Sequence, residues 1–308
     1  MDRREFIKKS LATGVITGSA LTFGNYSHLF AYPYLPLFDK PFDLVAIKGG
    51  EPDAMFDKGI QSLGGMKAFI KKGQTVVVKP NIGWDSIPER AANTNPILIK
   101  RIIQHCYEAG AKDVYVFDHT CDNWKRCYSN SGIESAVKDA GGKVVSGESE
   151  SYYQQVSLKS GKKLTNAKVH ELILESDVFI NVPILKHHGG ADLTISMKNL
   201  MGNVWDRGYW HRNDLHQCIA DFASFRKPDL NIVDAYFVMK KNGPKGVSKE
   251  DVMTLKSQII STDIVAADAA AAKLFSTEPE DIAHIRIAHE MKIGNMNLDQ
   301  LNINRIKL

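Results

Sequence analysis

The sequence predicts an α/β fold: a mostly parallel sheet with helices on both faces. Three observations carry this expectation. Short apolar runs recur, among them Thr75-Val-Val-Val78, Val114-Tyr-Val-Phe117 and Val178-Phe-Ile-Asn-Val182, the pattern of strands covered on both sides. Helical periodicity over roughly 10–15 residues separates them, which implies βαβ units. Polar residues fall repeatedly just beyond the carboxyl ends of these strands, where open parallel sheets bind ligands.

Taken in order, Leu44-Val-Ala-Ile47 is a first strand. Glu51-Pro52-Asp53 opens a helix reaching residues 69–72, with Gly64-Gly65 inside it, and Gly73 ends that segment. Thr75 to Val78 follows, with Lys79-Pro80-Asn81 at its end. Asn95-Pro96 starts a helix, Asn as N-cap and Pro at the first helical position. Leu98, Ile102, Cys106 and Ala109 line one face of that helix, and Gly110 stops it. Asp118-His119 sits at the end of the next strand. Ser131-Gly-Ile-Glu134 has the form of a capping box for a helix ending at Gly141-Gly142. Val144-Val145 is a strand, residues 146–163 a polar hairpin or excursion, and a short helix precedes Asp177. Leu215, Cys218, Ile219 and Phe222 form a helical stripe capped by Asn213 or Asp214. Leu230 to Val233 is a strand with Asp234 at its carboxyl end. Residues 240–249 form a basic surface loop, and Ser257 to Ser261 is the last strand. Asp263 to Phe275 is an alanine-rich helix, and Pro279 starts another. There is no internal repeat.

The 308 residues are 44% hydrophobic and 24% charged, ordinary for a globular chain. The net charge is +4, of which Arg3, Arg4, Lys8 and Lys9 against Asp2 and Glu5 supply +2. No dense basic run lies in the rest, which argues against a nucleic-acid partner. Residues 1–31 read as a twin-arginine-type signal. Arg3-Arg4 is followed by Phe6-Ile7 and a glycine-interrupted apolar stretch too short to favour a permanent membrane span. Such a segment is an address read by the export machinery, and it predicts an exported, periplasmic protein cut after Ala20 or Ala31. Residues 32–42, rich in proline, are a linker, and 43–308 form a single α/β domain. Cys106, Cys121, Cys127 and Cys218 include no Cys-x-x-Cys, so no iron–sulfur or zinc-knuckle motif is present. Cys121 and Cys127 either pair across a short loop or stay free.

Most of the chemistry falls between Asn181 and Trp205. Pro183 should end the strand that leads in. Lys186-His187-His188-Gly189-Gly190 then reads as a loop feeding a short helix from Leu193 to Met201, capped by Asp192 and closed by Gly202. Thr194 and Lys198 would share its face, and its N-terminus is a candidate anion site. His188 and Lys186 are the candidate catalytic pair; Lys79, Asn81, Asn181, Thr194, Lys198 and Asn199 are candidate ligand-binding residues. His188, His216 and Asp234 are a candidate set for a divalent metal ion. No P-loop, Gly-x-Gly-x-x-Gly or Gly-x-Ser-x-Gly motif occurs.

An ordered set of short motifs gives a family likeness. It runs through Val-Val-Val-Lys79-Pro-Asn81, Thr94-Asn95-Pro96, Glu108-Ala-Gly-Ala-Lys-Asp-Val-Tyr-Val-Phe-Asp118, Asn181-Val-Pro-Ile-Leu-Lys186-His-His188, Lys198-Asn199, and Asp263 with Asp268. Over residues 43–275 the chain resembles the domain-of-unknown-function family numbered 362. Where the family usually has Lys-Thr-His, this chain has Lys186-His187-His188, so His188 matches the family histidine. The likeness implies an α/β fold and points to Lys186, His188, Lys198 and Asn199; it implies no reaction. Some members are joined to ferredoxin-like modules, which makes an iron–sulfur redox protein a partner to consider. Three function classes follow: an exported enzyme on a small anionic substrate, with or without a metal; a non-catalytic metal- or anion-binding protein; and a redox accessory protein.

Overall fold

The structure, a computed structural model, describes residues 41–308. The paired-arginine segment and most of the linker lie outside the described residues. The chain begins with β1 (Leu44–Lys48) and α1 (Pro52–Ser62), then runs through β2 (Thr75–Pro80), α2 (Pro96–Glu108) and β3 (Asp113–Val116). α1 stops well short of residue 69, because Gly64 and Gly65 take φ values of +90° and +76° and leave only a 3₁₀ turn beyond. Asn95 caps α2 as expected, its Oδ1 accepting the Ile97 N–H at 2.9 Å. α3 (Trp124–Asn130) and α4 (Ile133–Asp139) precede β4 (Lys143–Val144). The expected capping box is absent. Gly132, at φ +72°, is the α4 N-cap, and Ser131 Oγ accepts the Ile133 N–H at 3.3 Å.

The polar excursion is a two-stranded antiparallel ribbon, β5 (Tyr153–Ser157) with β6 (Asn166–His170), separate from the main sheet. α5 (Glu171–Glu175) and β7 (Val178–Val182) follow. Pro183 ends β7, but the chain does not become a loop. β8 (Ile184–His188) and β9 (Asp192–Thr194) form a tight hairpin, and only then comes the one-turn helix α6 (Ser196–Asn199). The helix expected from Leu193 is therefore strand at its start, and Thr194 lies opposite Lys186 in the hairpin instead of one turn above Lys198. α7 (Arg207–Arg212), α8 (Leu215–Ala223), β10 (Leu230–Met239), β11 (Val252–Ser261), α9 (Ile264–Leu274), α10 (Ala283–Glu290) and β12 (Ile303–Lys307) complete the order.

The main sheet runs β12-β1-β11-β10-β7-β2-β3-β4. Neighbours are parallel except around β11, which is antiparallel to both β1 and β10. β10 is longer than predicted. Leu230 and Asn231 pair with β7, after which Asp234 lies beside Ile184 of β8. Asp234 is thus inside a strand and not at its end. Alternating residues divide the core. Val76 and Val78 face α1, α2 and α4 through Phe56, Leu98, Ile102 and Val137. Val77 and Phe179 face α8, α9 and α10 through Ile219, Phe222, Ala270 and Ile285. The alanines of α9 keep that helix small enough to lie buried along its length.

Candidate functional site

Parallel pairing sets Lys79 beside Asn181 at the carboxyl ends of β2 and β7, and β3 brings Asp118 to the same end. The β8–β9 hairpin and α6 fold over that end and enclose a cavity of about 290 Å³. Lys79, Asn81, Lys186, His188, Thr194, Lys198 and Asn199 all line it. Asp118, His119, Cys121, Trp84 and, from α7, Arg207 and His211 complete the wall. A larger groove of about 490 Å³, along Lys168, Trp205 and Tyr209, contains none of the predicted site residues.

Under the cavity is a frame of buried amides. Asn231 Oδ1 accepts from Asn181 Nδ2 (3.1 Å), and Asn181 Oδ1 accepts from Asn199 Nδ2 (2.9 Å). Asn199 Oδ1 accepts from both Lys79 Nζ (3.0 Å) and Asn81 Nδ2 (3.1 Å). Lys79 also donates to the Asn199 carbonyl (2.7 Å) and pairs with Asp118 at 2.9 Å. Those three contacts use the three donors of its ammonium. Lys79, Asn81 and Asn199 therefore hold the floor together, while Asn181 lies behind it, away from the cavity. Burial lowers the Lys79 pKa, and Asp118 opposes that effect. Gly202 fits against this ion pair because it has no side chain: a Cβ there would come within 1.8 Å of Asp118 Oδ1 and 2.6 Å of Lys79 Nζ.

The groups above the floor are less committed. Lys186, 1% exposed, donates to the carbonyl of Ala92 and to Asn81 Oδ1 (3.2 Å), both uncharged acceptors. Burial, with Lys198 and Lys79 nearby, pulls its pKa down to about 7. Lys198 is half-buried and has no hydrogen-bond or ion-pair partner among the described residues; burial and the neighbouring Arg207 bring it down to about 8. Thr194 is 3% exposed, and its Oγ1 has no partner either. His188 Nδ1 accepts the N–H groups of Gly190 and Ala191, each at 3.1 Å. The remaining proton therefore sits on Nε2. Burial and the adjacent lysines hold the ring neutral, with a pKa near 3. His211 stacks over it at 6.4 Å between ring centres.

Several expectations are corrected. The α6 N-terminus is not an open anion site, because Asp268 from α9 already accepts the Ser196 and Met197 N–H groups at 2.7 and 3.0 Å. Asp234 accepts the N–H groups of Asn95 and Tyr236 and does not reach the cavity. His216 Nδ1 lies 3.2 Å from His284 Nδ1. His188, His216 and Asp234 do not form a ligand set, and among the described residues no group of three His, Cys, Asp or Glu is arranged to hold a metal ion. His187, on the other face of β8, accepts the Gly243 N–H. All four cysteines are free, Cys121 exposed and Cys127 buried. Arg207 was missed: a lone arginine after Asp206 reads as a solvated helix charge. In the fold it donates to the carbonyls of His119 (2.7 Å) and Thr120 (2.6 Å) and to Cys121 Sγ (3.4 Å). Gly202 was read as a helix stop, and its spatial role had no sequence signal.

A thylakoid-associated protein of Synechocystis sp. is 25% identical over 231 residues, 72% of this chain and 70% of its own. Among solved structures, the lactate racemase apoprotein from Thermoanaerobacterium thermosaccharolyticum aligns at a TM-score of 0.44 and 12% identity, covering 83% of this chain and 58% of that one. A Thermotoga maritima protein aligns at 0.46 and 11%, covering 78% and 60%. This chain thus spans less than two thirds of either solved chain. A family model matches residues 76–273, a span that holds every residue of the amide frame and the cavity wall. The chain belongs to the family described as domain of unknown function, DUF362.

Proposed function

We propose that this protein is an enzyme that binds a small anionic substrate in the cavity above the amide frame. Lys198 and the Thr194 hydroxyl take the anion, and Lys186 and His188 handle protons beside it. One observation supports this most directly: an ammonium and a buried hydroxyl, both without partners among the described residues, line one basic cavity. A buried polar group without a partner costs about 1–3 kcal/mol, a cost an anionic ligand would remove. Among the described residues Asp118 is the one carboxylate in the wall, and it is already paired with Lys79. His188 would act as a hydrogen-bond donor through Nε2 and not as a base, since Nδ1 is occupied. Lys186, with a pKa near neutrality, is the group able to give or take a proton. Calorimetric titration with sulfate and oxalate tests the reading: Lys198→Ala should weaken binding about tenfold, the loss of one charge-assisted hydrogen bond. Equal affinity in the two proteins would refute it.

The paired arginines lead us to propose export as a second element of function. No helix among the described residues is long and apolar enough to cross a membrane.

A further inference from the structure

We propose that Lys186 is a nucleophile that joins a small oxo acid to the protein as an imine, the acid's carboxylate resting on Lys198 and Thr194. This rests on the anion-site reading above. The three lysines that line the cavity differ in a way that singles out Lys186. Lys79 has all its donors engaged and an aspartate beside it. Lys198 has nothing to orient it among the described residues. Lys186 is held by two uncharged oxygens, Ala92 O and Asn81 Oδ1, and no carboxylate pairs with it. A neutral amine can donate one hydrogen to each of these oxygens, and its lone pair then occupies the remaining direction. An ammonium in the same place would need a third acceptor, which the described residues do not supply. The lowered pKa of this buried amine is consistent with the neutral form.

The hairpin places the rest. Thr194 lies directly opposite Lys186, and cross-strand neighbours hold their Cβ atoms about 5 Å apart. A carboxylate on the Thr194 hydroxyl therefore brings an adjacent carbonyl carbon to the amine. His188, two residues along the same face of β8, offers Nε2–H to the carbonyl oxygen. The amine nitrogen attacks the carbonyl carbon, a C–N bond forms and the carbonyl opens to a hydroxyl. That oxygen leaves as water with the two amine hydrogens, and C=N remains. No oxidant or reductant is needed. A cavity of about 290 Å³ suits an acid of only a few carbons.

The test is to incubate the full-length protein with pyruvate and borohydride, with acetone as an uncharged control, and to map the adduct by peptide mass. In parallel, melting temperature is followed in pyruvate and in oxalate. The expected result is one reduced adduct, on Lys186, absent with acetone and formed about tenfold more slowly in Lys198→Ala. Lys186→Arg should give none; because mapping is done on the unaltered protein, the conclusion holds even if that variant folds poorly. Adducts spread over other lysines, or no adduct while pyruvate and oxalate still raise the melting temperature, would overturn the imine and leave the anion site standing. If neither adduct nor melting shift appears, both readings fall.

Discussion

Lys186 carries a clear thermodynamic signature. In the unfolded chain a lysine stays protonated to about pH 10.4, whereas burial in the fold lets Lys186 lose its proton at about 7. Between those values the unfolded state binds more protons, so stability rises with pH, by up to ~1.4 kcal/mol per pH unit for one lysine. Below about 7 the cost of burying the charge is present in full. The ligand-free protein should therefore become harder to unfold with urea as pH is raised from about 7 to about 9, and Lys186→Met should flatten that trend. A stability curve of unchanged slope in the variant would show that Lys186 is not an unusual lysine. His188 shows what the sequence could and could not convey at this scale. Its place in Lys186-His187-His188 marked it out, but the two backbone N–H groups that fix its tautomer belong to the turn at Gly190 and Ala191, and turn geometry was not legible.

At the scale of elements, the amide frame is the part that should be least tolerant of change. Asn199 ties α6 to β2 and β7 at once. Asn199→Ala would leave Lys79, Asn81 and Asn181 short of partners, and we expect a loss of about 2–4 kcal/mol in denaturant unfolding. A loss under about 1 kcal/mol, typical of an ordinary surface hydrogen bond, would mean the frame is not cooperative. Gly202→Ala should separate Lys79 from Asp118 by forcing a methyl group between them. The residues of the frame were legible as polar positions at strand ends, because parallel strands bring those ends together. The hairpin was not. Gly189-Gly190 suggested a loop, and a helical spacing from Thr194 to Lys198 looked sound; β8 instead gains a partner in the overlong β10, a long-range pairing with no local trace. Asp268 lies buried inside the alanine-rich α9, where a charge needs a partner, and accepting the Ser196 and Met197 N–H groups of α6 supplies it.

Across the whole molecule, the order of strands and helices followed from the short apolar runs and the helix caps at Asn95, Asp214 and Asp263. The edge was less readable. β12 carries Asn304, Arg305 and Lys307 and alternates too weakly to register as a strand, yet it pairs with β1 along its length. The export expectation also belongs at this scale. Changing Arg3 and Arg4 together to Lys should leave the protein in the cytoplasm on cell fractionation, and unaltered export would refute a twin-arginine route.

The proposed function requires above all that the cavity bind anions through lysines poised near neutrality. Calorimetric titration with oxalate at about pH 6 and about pH 9, either side of the lowered lysine range, measures it directly. Binding should be clear at the lower pH, take up protons near pH 7–8 as the lysines charge, weaken about tenfold or more at the higher pH, and fall similarly in Lys198→Ala. Binding that is absent at both values, or indifferent to pH and to Lys198, would contradict it.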